Sequence, residues 1–279
     1  MEDSHLSVEE VCRLLGVHKS TFYRQKAKAT FSQPSARQRP KQAVIQEKVR
    51  VLCQQHPTYG YRRIWALLKR QGIEVNQKTV YSVMKAEGLT QKQKRYEAKR
   101  TYQPVDFQIN SSNQVWHIDM TKIWTSEGWK YLVSIIDAYD RRIVAWSLDN
   151  YCRDDEAISV LEKAVNEAFP YGVREQGIKL VQDNGSQFTS RDFVSTLKIL
   201  GIEQIRTSYK HPQSNGKMER WYRTLKEEEV WANEYQNLEE ARASIGTYIT
   251  LYNEQRPHSA LGYRAPLEVY MGEYSTKAA

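Results

Sequence analysis

The chain has 279 residues, 40% of them hydrophobic and 27% charged, with a net charge of +8. That length buries one substantial core and leaves room for one or two small modules, so two or three domains are expected. Cys12, Cys53 and Cys152 are odd in number and lack Cys-x-x-Cys spacing, which argues for a reducing compartment and against structural zinc. No run approaches 18 apolar residues, and the acidic stretch Met1 to Glu10 lacks a signal peptide's positive start and apolar centre, so no membrane association and a cytoplasmic location are expected.

The amino-terminal part is basic. Residues 1–110 hold 21 Lys plus Arg against 9 Asp plus Glu, a net +12, while residues 111–279 hold 20 against 24, a net −4. The basic half suits a polyanion. Residues 1–28 read as a helix-turn-helix. Ser7 stands three residues before Glu10 in capping-box spacing, Val8, Val11, Leu14 and Leu15 form an apolar stripe, and Gly16 turns the chain. A second helix is expected from His18 to Tyr23, with Lys19, Ser20, Thr21 and Arg24 available to DNA; a small helical pair that packs or binds protein is the alternative. Cys12 and Cys53 fall in apolar helical patterns and are expected to be buried thiols.

Residues 29–41, ATFSQPSARQRPK, carry Pro34 and Pro40 and no apolar period, which reads as a flexible basic linker. Residues 42–90 read as a second helical DNA-binding domain of three helices, with Asn76 capping the third and Arg62, Arg63, Lys78 and Lys85 as candidate DNA contacts. Gly60 and Gly72 are read as turn residues. Residues 91–112 read as a basic linker, whose Tyr96 and Tyr102 suit packing or base stacking.

Over residues 113–235, QVWHIDMTKIW, WKYLVSIIDAY and RIVAWSLDN read as successive strands, the second apolar enough for a sheet covered on both faces. An amphipathic helix follows over 154–169, a strand over 177–182, a helix over 190–200, a short strand GIEQIR, and a helix after the loop from His211 to Gly216. Strands with crossover helices imply a mixed sheet flanked by helices. Asp119 interrupts an apolar strand, where an unpaired charge is costly. Asp183 follows the carboxyl end of a later strand, and Glu219 lies on the helix beyond. Carboxylates converging from separate elements can gather Mg²⁺ and phosphate. Glu219, Arg223 and Lys226 are spaced i, i+4 and i+7 and share a helix face; a plain Glu219 to Arg223 surface pair, worth only ~0.3 to 0.5 kcal/mol, is the alternative for that helix alone.

Asp137, Asp140 and Asp149 are read as polar strand exits and Glu203 as the exposed side of its strand. His117 and His211 are read as making local hydrogen bonds or DNA contacts. Residues 236–279 supply a helix over 238–253 and polar turns before LEVYMGEY, with Arg256, His258 and Arg264 in a structural tail or at DNA.

The strings GVHKSTFYR, YGYRRIWALLKRQG, VNQKTVYSVMKAEGL, WHIDMTKI, QDNGSQFTS, HPQSNGKMERWYRTLKEE and YNEQRPHSALGYRAPLEVY run through nearly the whole chain. In them it resembles the transposases of a large family of bacterial insertion sequences with a retroviral-integrase-like catalytic domain. The resemblance implies an α/β, ribonuclease H-like mixed sheet flanked by helices and preceded by small all-helical helix-turn-helix modules. It implies a catalytic DDE triad, with Asp119 in Trp-x-x-Asp-x-Thr, Asp183 in Asp-Asn-Gly and Glu219 after 35 intervening residues. The same three would be the metal ligands, for two Mg²⁺ with Mn²⁺ as substitute, and Lys226, with Arg223 beside it, would bind the DNA end. Double-stranded DNA is then the partner, as terminal inverted repeats and as target, with a homo-oligomer assembled on it and an upstream-frame protein as a further partner, in the bacterial cytoplasm. The alternatives left open are a structure-specific nuclease and a DNA-binding regulator with an inactive catalytic domain.

Overall fold

The computed structural model describes residues 8–14, 16–21, 23, 39–91, 108–206 and 216–277. Ser7, Arg24, Tyr96, Tyr102 and His211 lie outside them. α1 (Val8–Leu14) ends at Gly16, whose φ of 63° places it in the left-handed region. There its N–H reaches the Arg13 carbonyl and the Val17 N–H reaches that of Cys12, so glycine closes the helix without a Cβ penalty. Residues 19–21 and 23 are again helical.

A three-helix module follows, formed by α2 (Arg39–Gln55), α3 (Tyr61–Arg70) and α4 (Gln77–Ala86). α2 starts inside the stretch expected as linker. Pro40 falls in its first turn, where a backbone N–H has no intrahelical acceptor to lose. The Asn76 side chain accepts the Lys78 N–H at 2.9 Å, as a cap should. Val49, Leu52, Ile64, Leu68, Val80 and Met84 form the module's core, with Cys53 buried among them.

The larger domain is built on a five-stranded sheet of order β3-β2-β1-β4-β5. β1 (Val115–Thr125), β2 (Gly128–Asp137) and β3 (Ile143–Asp149) form an antiparallel meander. β4 (Lys179–Gln182) and β5 (Glu203–Arg206) are parallel to β1. α5 (Asp154–Ala168) carries the chain across to β4, and the short α6 (Ser186–Thr189) and α7 (Arg191–Leu200) lead to β5. Trp116, Ile118, Val133 and Ile135 pack against α5 to α7 on one face. On the other, Ile123, Leu132, Ile136 and Leu148 meet α8 (Gly216–Glu228) and α9 (Leu238–Glu254). Both faces are therefore covered, which is why β2 reads as a continuous apolar run rather than an alternating one.

The turn between β2 and β3 is locked from inside. Asp137, fully buried, accepts N–H groups from Asn113, Tyr139 and Asp140, and Asp140 accepts that of Arg142. These aspartates are thus turn anchors, not solvated strand exits. LEVYMGEY, not assigned to a helix by its pattern, forms most of α10 (Pro266–Lys277), which opens on a proline as helices favour. The three-helix module docks on this domain: Arg70 pairs with Glu268 and donates to the Gln255 carbonyl, and Arg63 pairs with Glu228. Among the described residues no helix is long and apolar enough to cross a membrane.

Candidate active site

Asp119, within β1, and Asp183, one residue past the end of the parallel neighbour β4, stand at matched register positions. The β1–β4 register runs Val115 to Lys179, Trp116 to Leu180 and His117 to Val181, then pairing stops. Asp119 and Asp183 each stand two residues beyond the last pair. In such sheets the crevice past the carboxyl ends of diverging strands is the usual place for a ligand, and neighbouring strands are only about 4.8 Å apart. Asp119 still pairs with Ser134 of β2, although it lies past the last β1–β4 pair.

Asp183 is oriented by its own turn. Its Oδ1 accepts the Gly185 N–H at 2.9 Å. A Cβ added at Gly185 would lie 3.0 Å from that oxygen and 2.6 Å from Gln187 Nε2. Any other residue there would have to move the Gln187 side-chain end and press on the Asp183 carboxylate by a few tenths of an ångström, so a glycine suits this position.

Glu219 lies in the first turn of α8, exposed, at the end where a helix favours negative charge. The Asp119 carboxyl is pushed up to about 7, chiefly by burial, opposed by the Met120 N–H and reinforced by the negative charges of Asp183 and Glu219. Asp119 therefore feels the charge of both other carboxylates. An all-oxygen donor set of this charge suits a hard divalent cation, although among the described residues no group of three His, Cys, Asp or Glu side chains is spaced to grip one ion.

A buried relay ties this site to α8. Trp221 Nε1–H donates to Ser134 Oγ at 3.0 Å, Ser134 Oγ–H to Tyr222 Oη at 3.0 Å, and Tyr222 Oη–H to the main-chain carbonyl of Asp119. Tyr222 is one helical turn after Glu219, so one hydroxyl couples the strand bearing Asp119 to the helix bearing Glu219. Sequence reasoning missed Ser134, Trp221 and Tyr222. The available signal was the stripe Met218, Trp221, Tyr222, Leu225, in which a hydroxyl faces the core.

The residues expected at DNA divide. Arg62, Lys78, Lys85 and Arg223 are exposed and Lys226 is half-buried on α8. Lys19 is exposed and paired with Glu9, and Ser20 Oγ lies 2.9 Å from His18 Nδ1. Arg63 instead turns inward, over the Tyr59 ring and onto Glu228 at 3.3 Å. Arg256, 3% exposed, binds Glu228 through two nitrogens at 2.7 and 2.8 Å, so its place is structural. His258 beside it is held down to about 3 by burial and then by the Arg256 charge, and so stays neutral. His117 is buried.

The chain matches a family model described as integrase core domain over residues 110–212, a second model of that description over 200–266, and an HTH-like domain over 40–96. It is 32% identical over 244 residues to the transposase for insertion sequence element IS904 of Lactococcus lactis, covering 83% of this chain and 95% of that one. It is 30% identical to transposase InsD for insertion element IS2 of Escherichia coli, covering 76% of this chain and 73% of that one. Among solved structures, the catalytic core domain of BIV integrase aligns with 60% of this chain and 99% of its own, at 20% identity and a TM-score of 0.46.

Proposed function

Because this chain belongs to the insertion-sequence transposases with an integrase-like, ribonuclease H-like core, we propose that it binds the ends of its element and cleaves and rejoins DNA there. The reading is carried by one observation. Asp119 and Asp183 stand at matched register positions where β1 and β4 part, and the charge of Glu219, in the first turn of α8, adds to the upward push on the Asp119 carboxyl.

Asp119, Asp183 and Glu219 would hold two Mg²⁺, or Mn²⁺ in their place, which supply activation of a water or 3′ hydroxyl and relief of charge at the leaving oxygen. The protein's own part is positioning. Gly185 fixes the Asp183 carboxylate, Tyr222 fixes the backbone at Asp119, and the first turn of α8 presents Glu219. Lys226 and Arg223, one to two turns further along α8, hold the backbone of the DNA end. Exposed Arg62, Lys78 and Lys85 on the three-helix module, with Lys19 and Ser20 ahead of it, bind terminal inverted repeats largely through phosphates. Two ends and a target require a homo-oligomer on bacterial DNA, with or without an upstream-frame protein.

The test is cleavage and strand transfer with labelled DNA carrying the inverted repeats that flank the gene, in Mg²⁺, beside Asp183→Asn. Joined product that disappears in the variant is the expected result. Cleavage without joining would make the protein a structure-specific nuclease; end binding with neither would make it a regulator.

A further inference from the structure

Of the seven tryptophans in the chain, all lie among the described residues and three are exposed: Trp124, Trp129 and Trp231, at 57%, 54% and 67%. All three line one cleft of about 520 Å³, together with Lys122, Lys226 and Glu234. Exposed tyrosines are scattered over other faces, as at Tyr81, Tyr151 and Tyr171, but the exposed indoles, the largest apolar rings, gather in this one cleft, and a clustered apolar patch of that kind marks a binding surface. Trp124 and Trp129 are cross-strand partners at the end of the β1–β2 hairpin, their rings 5.0 Å apart and nearly perpendicular. Their faces are thereby fixed, so a flat ligand finds them already ordered.

The cleft lies further along the strand that bears Asp119 and the helix that bears Glu219. Lys226 follows Glu219 by seven residues of helix, about 10 Å. Lys122 and Trp124 follow Asp119 by three and five residues of strand, about 10 and 17 Å. At about 3.4 Å per stacked nucleotide, that places the rings a few nucleotides from the reacting phosphate. Duplex DNA offers a tryptophan face only phosphates and base edges, because its bases are stacked on one another. Unpaired bases offer a flat apolar face, and the two lysines meet their phosphates.

We propose that this cleft is a stacking platform for nucleobases that have left the duplex next to the cut. The inference rests on the transposase reading, and it names the form of DNA end the site accepts. Trp124 and Trp129 stack on the bases, Trp231 closes the cleft from the turn after α8, and Lys122 and Lys226 hold the backbone.

The test uses the full chain in EDTA with a labelled twelve-residue oligo(dT) and a blunt duplex of the same length, read by anisotropy and by quenching of tryptophan fluorescence. Without divalent cation the outcome is independent of the cleavage assay, so failure here and failure of the catalytic reading are separable. Oligo(dT) is expected to quench the protein. Trp124→Ala with Trp129→Ala is expected to weaken oligo(dT) binding about tenfold or more, leave the blunt duplex bound as before, and recover with Trp124→Phe and Trp129→Phe. Should the double alanine variant not fold by thermal melting, Trp231→Ala carries the same expectation. Absent oligo(dT) binding, or alanine variants that bind it as wild type does, overturns the proposal. So does loss in those variants of concentration-dependent self-association with oligo(dT) binding intact, which would assign the cleft to a second copy of the chain.

Discussion

Glu219 and Glu228 stand nine residues apart on α8 in opposite surroundings. Glu228, its side chain 8% exposed, is gripped by Arg256, by Arg63 from the three-helix module and by the Tyr248 hydroxyl at 2.8 Å. Burial alone would raise its carboxyl, but the hydrogen bonds and charge of Arg256, with Arg63, outweigh it and hold the group below the ordinary range. At the other end, Glu219 adds negative charge to a pair of aspartates, and Asp119 is pushed upward instead. Where a carboxylate is there to hold the fold, the chain supplies its cations. Where, under the proposed function, it is there for chemistry, like charges are gathered and the compensating charge is left to come from outside.

The sharpest way to break this contrast is to neutralise each glutamate. Glu228→Ala strands Arg256 and Arg63 against each other and should cost about 3–5 kcal/mol, lowering the melting temperature by roughly 10 °C. Glu219→Gln, on an exposed first turn, should stay within about 0.5 kcal/mol of wild type while abolishing cleavage. Equal thermal losses in the two variants would erase the distinction between the ends of α8.

That distinction was only half legible in the sequence. The strands and their order along the chain follow from apolar runs, and Asp119 stands out locally as a charge within an apolar strand, whereas the choice of Asp183 and Glu219 as its companions comes from the family resemblance and not from any local rule. The partners of Glu228 do not follow. Arg63 and Arg256 are separated from it by 165 and 28 residues, and nothing local to either distinguishes an arginine bound for a buried pair from one bound for phosphate. Arg63 reads as DNA-facing beside Arg62, yet one step around α3 turns it to the neighbouring domain. Asp137 and Asp140 likewise read as strand exits because a turn that folds back over its own carboxylates has no signature in pattern. Tyr222 was hidden for the converse reason: a tyrosine at a core-facing helical position is apolar to every periodicity measure, and its hydroxyl matters only once β1 and β2 lie beneath it.

Acid should move the two regions in opposite senses. Asp119 has a folded value of about 7, above the unfolded 3.8, so the folded state binds the extra proton. The stability this gives is full below about 3.8 and is lost as pH rises through 7. Asp119→Asn keeps a neutral group in place, and in EDTA it should melt higher than wild type at pH 8 by on the order of 2 kcal/mol after allowance for solvent screening, the gap closing towards pH 5. His258, neutral in the fold with a value of about 3 against 6.5, and Glu228 contribute stability that is present at neutral pH and lost on acidification. A gap between Asp119→Asn and wild type that stays constant from pH 5 to 8 would mean that burial does not load Asp119 as described.

The smallest expected change separates positioning from packing. Tyr222→Phe and Tyr248→Phe each delete one buried hydroxyl, from the Asp119 carbonyl and from Glu228 respectively, and each should cost about 1 kcal/mol of stability. Their functional consequences should differ. Without the Tyr222 hydroxyl, the strand at Asp119 loses its tie to the helix that carries Glu219, so the carboxylates must be drawn into place by the cation at the moment of binding. The cation concentration for half-maximal cleavage should rise severalfold, with binding of the DNA end unchanged and activity partly restored by excess Mg²⁺. Tyr248→Phe should leave that titration where it is, because its hydroxyl is bound to Glu228, nine residues along α8 from Glu219. If both variants shift the titration alike, Tyr222 is a core residue like Tyr248, and the relay through Ser134 holds the fold rather than the site.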